Sequence, residues 1–290
     1  MSAIYASPEG EQAIKRHYRD LLDRWPVPSE HLRVPTSQGE TFVVTCGPAD
    51  APPVVLLHGS GTNSAMWLGD IPDWAPHLRL YAVDIVGEPG LSAPSRPALN
   101  SQESSRWLGD VLEGLSLDHT AFVGASLGGW TALDFATRHP ERVERLALLC
   151  PGGIGRQKIG VLLASVLLLP LGNRGRNAAM RMALGPNIPA TPKAKDFTDY
   201  IQLIHRNFRP RHEQLPVFGD DALARLTMPV MATLGAHDRM LDSHATRRRL
   251  EQAVPHARID FLPDAGHLIA GRSLPILDFL QQPEETHSQS

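Results

Sequence analysis

Four short, unbroken apolar runs separated by helix-like stretches constrain the fold of this chain more than any other feature. They read PVVLLHG from Pro53, LRLYAVDIVG from Leu78, HTAFVGAS from His119 and VERLALLC from Val143. A strand with one wet face alternates apolar and polar residues, so a continuous run implies cover on both faces, as in a parallel sheet. A helical stretch over about 102–115 separates the second run from the third, and LGGWTALDFATRHP, ended by Pro140, follows the third. Strand and helix alternate, which predicts an α/β fold with a mostly parallel central sheet flanked by helices.

The flanks complete this frame. Ile14, Tyr18, Leu21, Leu22 and Trp25 recur at three- and four-residue spacing, predicting an amphipathic helix that packs onto the sheet and stops before Pro26 and Pro28. HLRVP and ETFVVTCG, joined by the SQG turn, predict a hairpin at the start of the sheet. Over 151–225 the alternation stops and Gly, Pro and Arg become frequent around short helical patterns, as expected of a helical cap insertion. It resumes with MPVMATLGAHD, a helix near 243–254, the strand ARIDFLPDAGH and a last helix LPILDFL. The expected organisation is a core in two parts, 1–150 and 226–280, a cap at 151–225 and a polar tail at 281–290. A chain of 290 residues suits one core domain with an insertion.

Composition narrows the function. A formal net charge of -3 gives no basic face to collect phosphates, so the expected partner is a small-molecule substrate and not nucleic acid. Cys46 and Cys150 are too few for a disulfide scaffold, and the first twenty residues mix Glu11, Lys15, Arg16, Arg19 and Asp20 without a signal-like apolar core, which predicts a cytoplasmic protein. The longest apolar run, IGVLLASVLLLPLG at 159–172, falls short of the roughly 20 residues a bilayer crossing needs and contains Pro170, so no stable membrane insertion is expected. The sequence sets no oligomeric state.

The third run leads straight into Gly124-Ala125-Ser126-Leu127-Gly128, a G-x-S-x-G pattern with a further glycine at Gly129. A strand entering and a helix leaving is the setting of a nucleophile elbow. The sharp turn strains the serine backbone, and small neighbours let strand and helix approach. A bare Gly-Ser turn is the bland alternative. A serine hydroxyl is a weak nucleophile without an imidazole to take its proton. His267, in PDAGH, follows the last predicted strand and so falls at the same C-terminal edge of the sheet. A carboxylate must fix the imidazole tautomer, and Asp238, just past PVMATLG, fits, with Asp242 and Asp264 as nearby rivals that read equally as solvated loop acids.

His58 and Gly59 end the first run and open the loop HGSGTNSAMW. An oxyanion hole needs two converging backbone amides, and those of Ser60 and Leu127 are the candidates, unless HGSG is only a tight strand-end turn. Trp67, Trp130, Leu163 and Leu167 are candidate walls of a substrate pocket, with core packing as the alternative for each. HEQLP at His212 begins like a zinc helix but lacks the second histidine, and PGGIGRQK completes no dinucleotide or phosphate-loop pattern, reading better as a hinge into the cap. Neither a metal nor a cofactor is expected.

VVLLHGSG, VDIVGEPGLS, VGASLGGW, LGAHDR and DAGH occur in an order and at intervals that resemble the α/β-hydrolase superfamily, specifically its capped, esterase-like members, over about 41–280. The departure lies at 84–92, where DIVGEPGLS is one residue longer than the family's usual D-x-x-G-x-G-x-S because of Pro89. The resemblance implies a serine hydrolase that cleaves carboxylic esters, with lactones or thioesters open to the same acyl-enzyme route. Ser126 excludes the aspartate-nucleophile mechanism of dehalogenases and epoxide hydrolases. The alternative activity is a carbon-carbon bond hydrolase of the meta-cleavage type, suggested by HGSG, by Arg239 after Asp238 and by Arg174, Arg176 and Arg181 in the cap. A third reading, from another class, is a ligand-binding protein that keeps the fold without turnover.

Overall fold

The structure, a computed structural model, describes residues 4–158, 192–211 and 213–282, with isolated positions between 159 and 191. Eight strands form one sheet: β1 (Ser29–Thr36), β2 (Gly39–Cys46), β3 (Pro53–Leu57), β4 (Arg79–Val83), β5 (Thr120–Ala125), β6 (Val143–Leu149), β7 (Val230–Gly235) and β8 (Arg258–Leu262). Their order is β1-β2-β4-β3-β5-β6-β7-β8. β1 and β2 are an antiparallel hairpin from Ser29↔Cys46 to Thr36↔Gly39, and β2 runs antiparallel to β4; all later pairs are parallel. Gly39 closes the hairpin at φ 97°, a conformation that costs glycine little.

Side-chain alternation along each strand explains the unbroken apolar runs. Val54, Leu56, Ala121 and Val123 pack into one buried cluster, whereas Val55, Leu57 and Phe122 enter a second on the opposite face. The first is shared with the helices Pro8–Leu22, Pro192–Asn207 and Ser273–Gln281. Trp107, Leu108, Val111 and Leu112 of the Glu103–Gly114 helix, with Leu133 and Phe135 of the Leu127–Ala136 helix, close the other. Fully burying one such large side chain contributes about 1.5–3 kcal/mol.

The first helix opens with Ser7 Oγ accepting from the Gly10 amide at 3.1 Å and Pro8 in the first turn. It reaches the sheet through Tyr18, whose ring meets Phe42 edge-on. Its second partner is the Pro192–Asn207 helix, where His17 stacks on Tyr200 at 4.8 Å. No helix among the described residues is long and apolar enough to cross a membrane.

Strand β4 is shorter than its apolar run. It stops at Val83 because Asp84, fully buried, turns the chain into a polar knot. Its Oδ1 accepts from Tyr18 Oη at 2.8 Å, the Ser64 amide at 3.0 Å and Ser64 Oγ at 2.7 Å, and its Oδ2 accepts from the Leu91 amide at 2.8 Å. This carboxylate ties the loop after β4 to the loop after β3, both at the C-terminal edge of the parallel strands.

Candidate active site

Ser126 sits between β5 and the Leu127–Ala136 helix at φ 50° and ψ -107°, a region L-residues rarely occupy. Across positions 120–137 it is the one residue that is not buried. The strained turn is held by its surroundings. The Ser126 amide donates to Leu149 O at 2.9 Å, and its carbonyl accepts from the Trp130 and Gly152 amides, both at 3.0 Å. The flanking glycines are obligatory: a Cβ on Gly124 would lie 2.7 Å from Gly128 O, and one on Gly128 would lie 2.0 Å from Leu57 O.

His267 follows β8 and is nearly buried, with its Nε2 3.0 Å from Ser126 Oγ and its Nδ1 2.7 Å from Asp238 Oδ2. A carboxylate only accepts hydrogen bonds, so Nδ1 carries the proton and Nε2 is left to accept from the serine hydroxyl. The loops bearing Asp238 and His267 meet because β7 ends in glycine, where any Cβ would fall 2.1 Å from Gly266 O. The Ala236 amide donates to Leu262 O and the His237 amide to Ala265 O, each at 2.9 Å, which fastens the two loops together.

Asp238 is fully buried and both of its oxygens are occupied. Oδ1 accepts from the Met240 amide at 2.7 Å and the Leu241 amide at 2.9 Å, while Oδ2 faces His267. Burial opposes ionisation, but the hydrogen bond and charge of His267, together with those two amides, outweigh it and hold the carboxyl below its ordinary value. The rivals have other places. Asp242 Oδ1 caps the Ser243–Ala253 helix through the Ala245 amide at 3.0 Å, and Asp264 is exposed.

The loop after β3 closes over this edge, placing Gly59 so that a Cβ there would sit 3.7 Å from Ser126 Cβ. His58 anchors it as a buried neutral imidazole, its Nε2 accepting from the Ile85 amide at 2.9 Å and its pKa lowered by desolvation. Neither the Ser60 nor the Leu127 amide donates to an acceptor among the described residues. A free amide donor next to a nucleophilic hydroxyl, as at Leu127, suits an oxyanion.

The pocket residues fare differently. Trp67, expected to wall the cavity, is core: it is 1% exposed and packs against Trp74 at 5.9 Å, because the Ser64–Gly69 turn dives inward behind Ser64. Trp130 stands beside the elbow, its Nε1 donating to Pro216 O at 3.0 Å and its ring stacked on Phe218. With Leu127 it lines a void of about 20 Å³, no larger than a water site. Leu163, Leu167, Arg176, Arg181 and His212 lie outside the described residues, and Arg174 and Arg239 are exposed. A larger cleft of about 510 Å³ lies at the other end of the Leu127–Ala136 helix, beside Arg138 and Arg142, and none of the site residues lines it.

Three contributors escaped the sequence reading. Lys158, in the PGGIGRQK segment, donates from Nζ to the Asp238 carbonyl at 2.7 Å, and nothing local announces it. Cys150, at φ 41°, lies beneath the acid, where burial and the Asp238 charge push its thiol well above its ordinary value. Glu88 reaches the loop of Ser60 and Gly61, and its one signal was the extra residue at Pro89.

A strained serine, an imidazole and a buried carboxylate at the C-terminal edge of a parallel sheet define a nucleophile-elbow protein. The chain belongs to the alpha/beta hydrolase family, whose profile matches residues 54–286. It is 30% identical to carboxylesterase YbfK of Bacillus subtilis, with 98% of this chain and 94% of that protein aligned. An uncharacterized carboxylesterase of the same organism, nap, is 32% identical over 87% of this chain and 85% of its own length. The crystal structure of YbfK superposes with a TM-score of 0.82 at 29% identity, covering 94% of this chain and 99% of that one.

Proposed function

We propose that this protein hydrolyses carboxylic esters through an acyl-enzyme on Ser126. The carrying observation is the continuous chain Asp238–His267–Ser126, with contacts of 2.7 and 3.0 Å, ending on a strained hydroxyl. The carboxylesterase relatives support the same reaction. Ser126 Oγ bonds to the ester carbonyl carbon as its proton passes to His267 Nε2, and the carbonyl oxygen becomes an oxyanion facing the Ser60 and Leu127 amides. Asp238 stabilises the imidazolium. The C–O bond then breaks, the departing alkoxide takes the Nε2 proton, and an alcohol leaves. Water repeats the sequence on the acyl-enzyme, giving His267 its proton, and collapse returns Ser126 and releases the acid.

We further assign small apolar esters as substrates, with lactones and thioesters entering by the same route, and place the protein in the cytoplasm, where the buried free thiols of Cys46 and Cys150 are compatible with a reducing compartment. Lengthening the acyl group should raise kcat/KM by about 0.8 kcal/mol per buried methylene until the pocket is full. The deciding experiment treats the protein with a fluorophosphonate probe and a panel of nitrophenyl esters. Ser126 becomes labelled, and Ser126→Ala loses labelling and about five to six orders of magnitude of turnover while remaining folded. Labelling at another serine, or a folded wild type inert to every ester, overturns the reading. Turnover of a vinylogous diketo acid in preference to esters would establish the carbon-carbon hydrolase instead.

A further inference from the structure

The loop after β4 carries a buried acid that the ester-hydrolysis chemistry does not use. Glu88 is 2% exposed, and its Oε2 accepts from the Gly61 amide at 2.6 Å and Ser60 Oγ at 3.2 Å. It sits on the loop after β4 beside Pro89, the extra residue noted in DIVGEPGLS. The Gly90 amide donates to Glu88 O at 2.8 Å in a tight turn around Pro89, and Pro89 O accepts from Asn63 Nδ2 at 2.8 Å. Glu88 also lines the small void that Leu127 lines.

Given the proposed reaction at Ser126, we propose that Glu88 is a positioning residue that aims the Ser60 amide at the oxyanion. Ser60 is gripped at its side chain and at the peptide that follows it, and Gly61, at φ 70°, supplies a turn that could otherwise relax. The hold needs the carboxylate, because an ionised acceptor binds an amide about twice as strongly as a neutral one. Arg96, whose Nε and Nη2 donate to Gly87 O and Arg209 O, and Arg211, whose Nη2 donates to Pro97 O at 2.6 Å, supply the opposing positive charge. Burial holds the Tyr5 phenol neutral, with the charges of Glu11, Asp84 and Glu88 adding to it. Burial raises the Glu88 carboxyl from 4.5 to about 7, with the Gly61 amide, Arg96, Ser60 and Arg211 each pulling it back. The grip therefore strengthens as pH rises through neutrality.

The test measures kcat and KM for a nitrophenyl ester across pH 5.5–9 in wild type, Glu88→Gln and Glu88→Ala, with thermal unfolding as the folding control. Glutamine keeps an acceptor oxygen without the charge, so it imitates protonated Glu88. Its kcat should fall about five- to tenfold at pH 8.5 with KM nearly unchanged, and the wild-type to variant ratio should approach one below pH 6. Glu88→Ala should lose about ten- to a hundredfold of kcat at every pH, a fraction of the effect of deleting an oxyanion donor. A purely structural acid gives a ratio independent of pH, and a substrate-binding acid moves KM; either result overturns the proposal, as does a Glu88→Gln profile superimposable on wild type. If Glu88→Ala does not fold, the Glu88→Gln ratio alone decides. A wild type that neither labels at Ser126 nor turns over ester would sink the reaction itself, a different outcome from active wild type with unaffected variants.

Discussion

The elbow and the loops around it reach the same accuracy by opposite means. Around Ser126 the geometry comes from missing side chains: Gly124, Gly128 and Gly129 let β5, β3 and the following helix approach to distances no Cβ permits. In the loops around it the geometry comes largely from buried carboxylates that collect loose backbone. Asp84 gathers Ser64 and Leu91, Glu88 gathers Ser60 and Gly61, and Asp238 gathers Met240 and Leu241 besides His267. Packing of the first kind is indifferent to pH, whereas the holds of Glu88 and Asp238 respond to it.

Breaking the charged side at its most demanding point should have the largest effect. Asp238→Asn cannot hold the imidazole in the tautomer that leaves Nε2 free, and kcat should fall about a thousand- to ten-thousandfold. Asp242→Asn keeps the oxygen that caps its helix, so steady-state kinetics should show nearly unchanged turnover and urea titration little change in stability. Equal losses of rate in the two variants would unseat Asp238 as the acid. Because the folded Asp238 carboxyl lies below its ordinary 3.8, its contribution to stability is fully present above that value and is lost as pH falls through the folded one.

Breaking the uncharged side should act on stability instead. Gly128→Ala sets a methyl group 2.0 Å from the Leu57 carbonyl, a clash between two backbones with no flexible side chain to yield. The expected cost is on the order of 3–5 kcal/mol, read by urea unfolding and constant from pH 5 to 8.5. A loss below about 1 kcal/mol would mean that strand and helix can part more easily than their packing implies.

This division also explains what could be read from the chain. Glycines that permit close approach sit inside the motif they serve, so the elbow, the strand before it and the helix after it were legible within 120–137. His267 and Asp238 were reachable because each follows an apolar strand at a known edge. Trp67 was misplaced because an aromatic beside a site motif reads the same whether its ring faces ligand or core, and the burial of Ser64 against Asp84 decides it. Lys158 and Cys150 approach the acid from segments remote in sequence, a contact that no local pattern encodes. Glu88 lay in plain view as a one-residue lengthening, but length alone does not reveal which way a side chain turns.

The smallest effect is the one that distinguishes the two kinds of scaffold most sharply. Glu88 titrates near 4.5 when unfolded and at about 7 in the folded protein, so between those values the native state keeps a proton the unfolded chain has released. The Glu88 contribution to stability must then fall as pH rises through that interval and level off above it, by on the order of 3 kcal/mol if the shift were expressed in full. Glu88→Gln removes the titration while keeping the acceptor oxygen, so its stability should decline less than that of the wild type across the interval, and the variant should gain on the wild type between pH 5 and pH 8. It should also be the slower enzyme at pH 8, since the charge that strains the fold is the charge that grips Gly61. Parallel urea titrations at pH 5 and pH 8 measure this as a difference of differences, which cancels the contribution of every other titrating group. If the variant loses stability equally at both pH values, Glu88 is held by its hydrogen bonds alone, and the oxyanion loop, like the elbow, is a scaffold indifferent to pH.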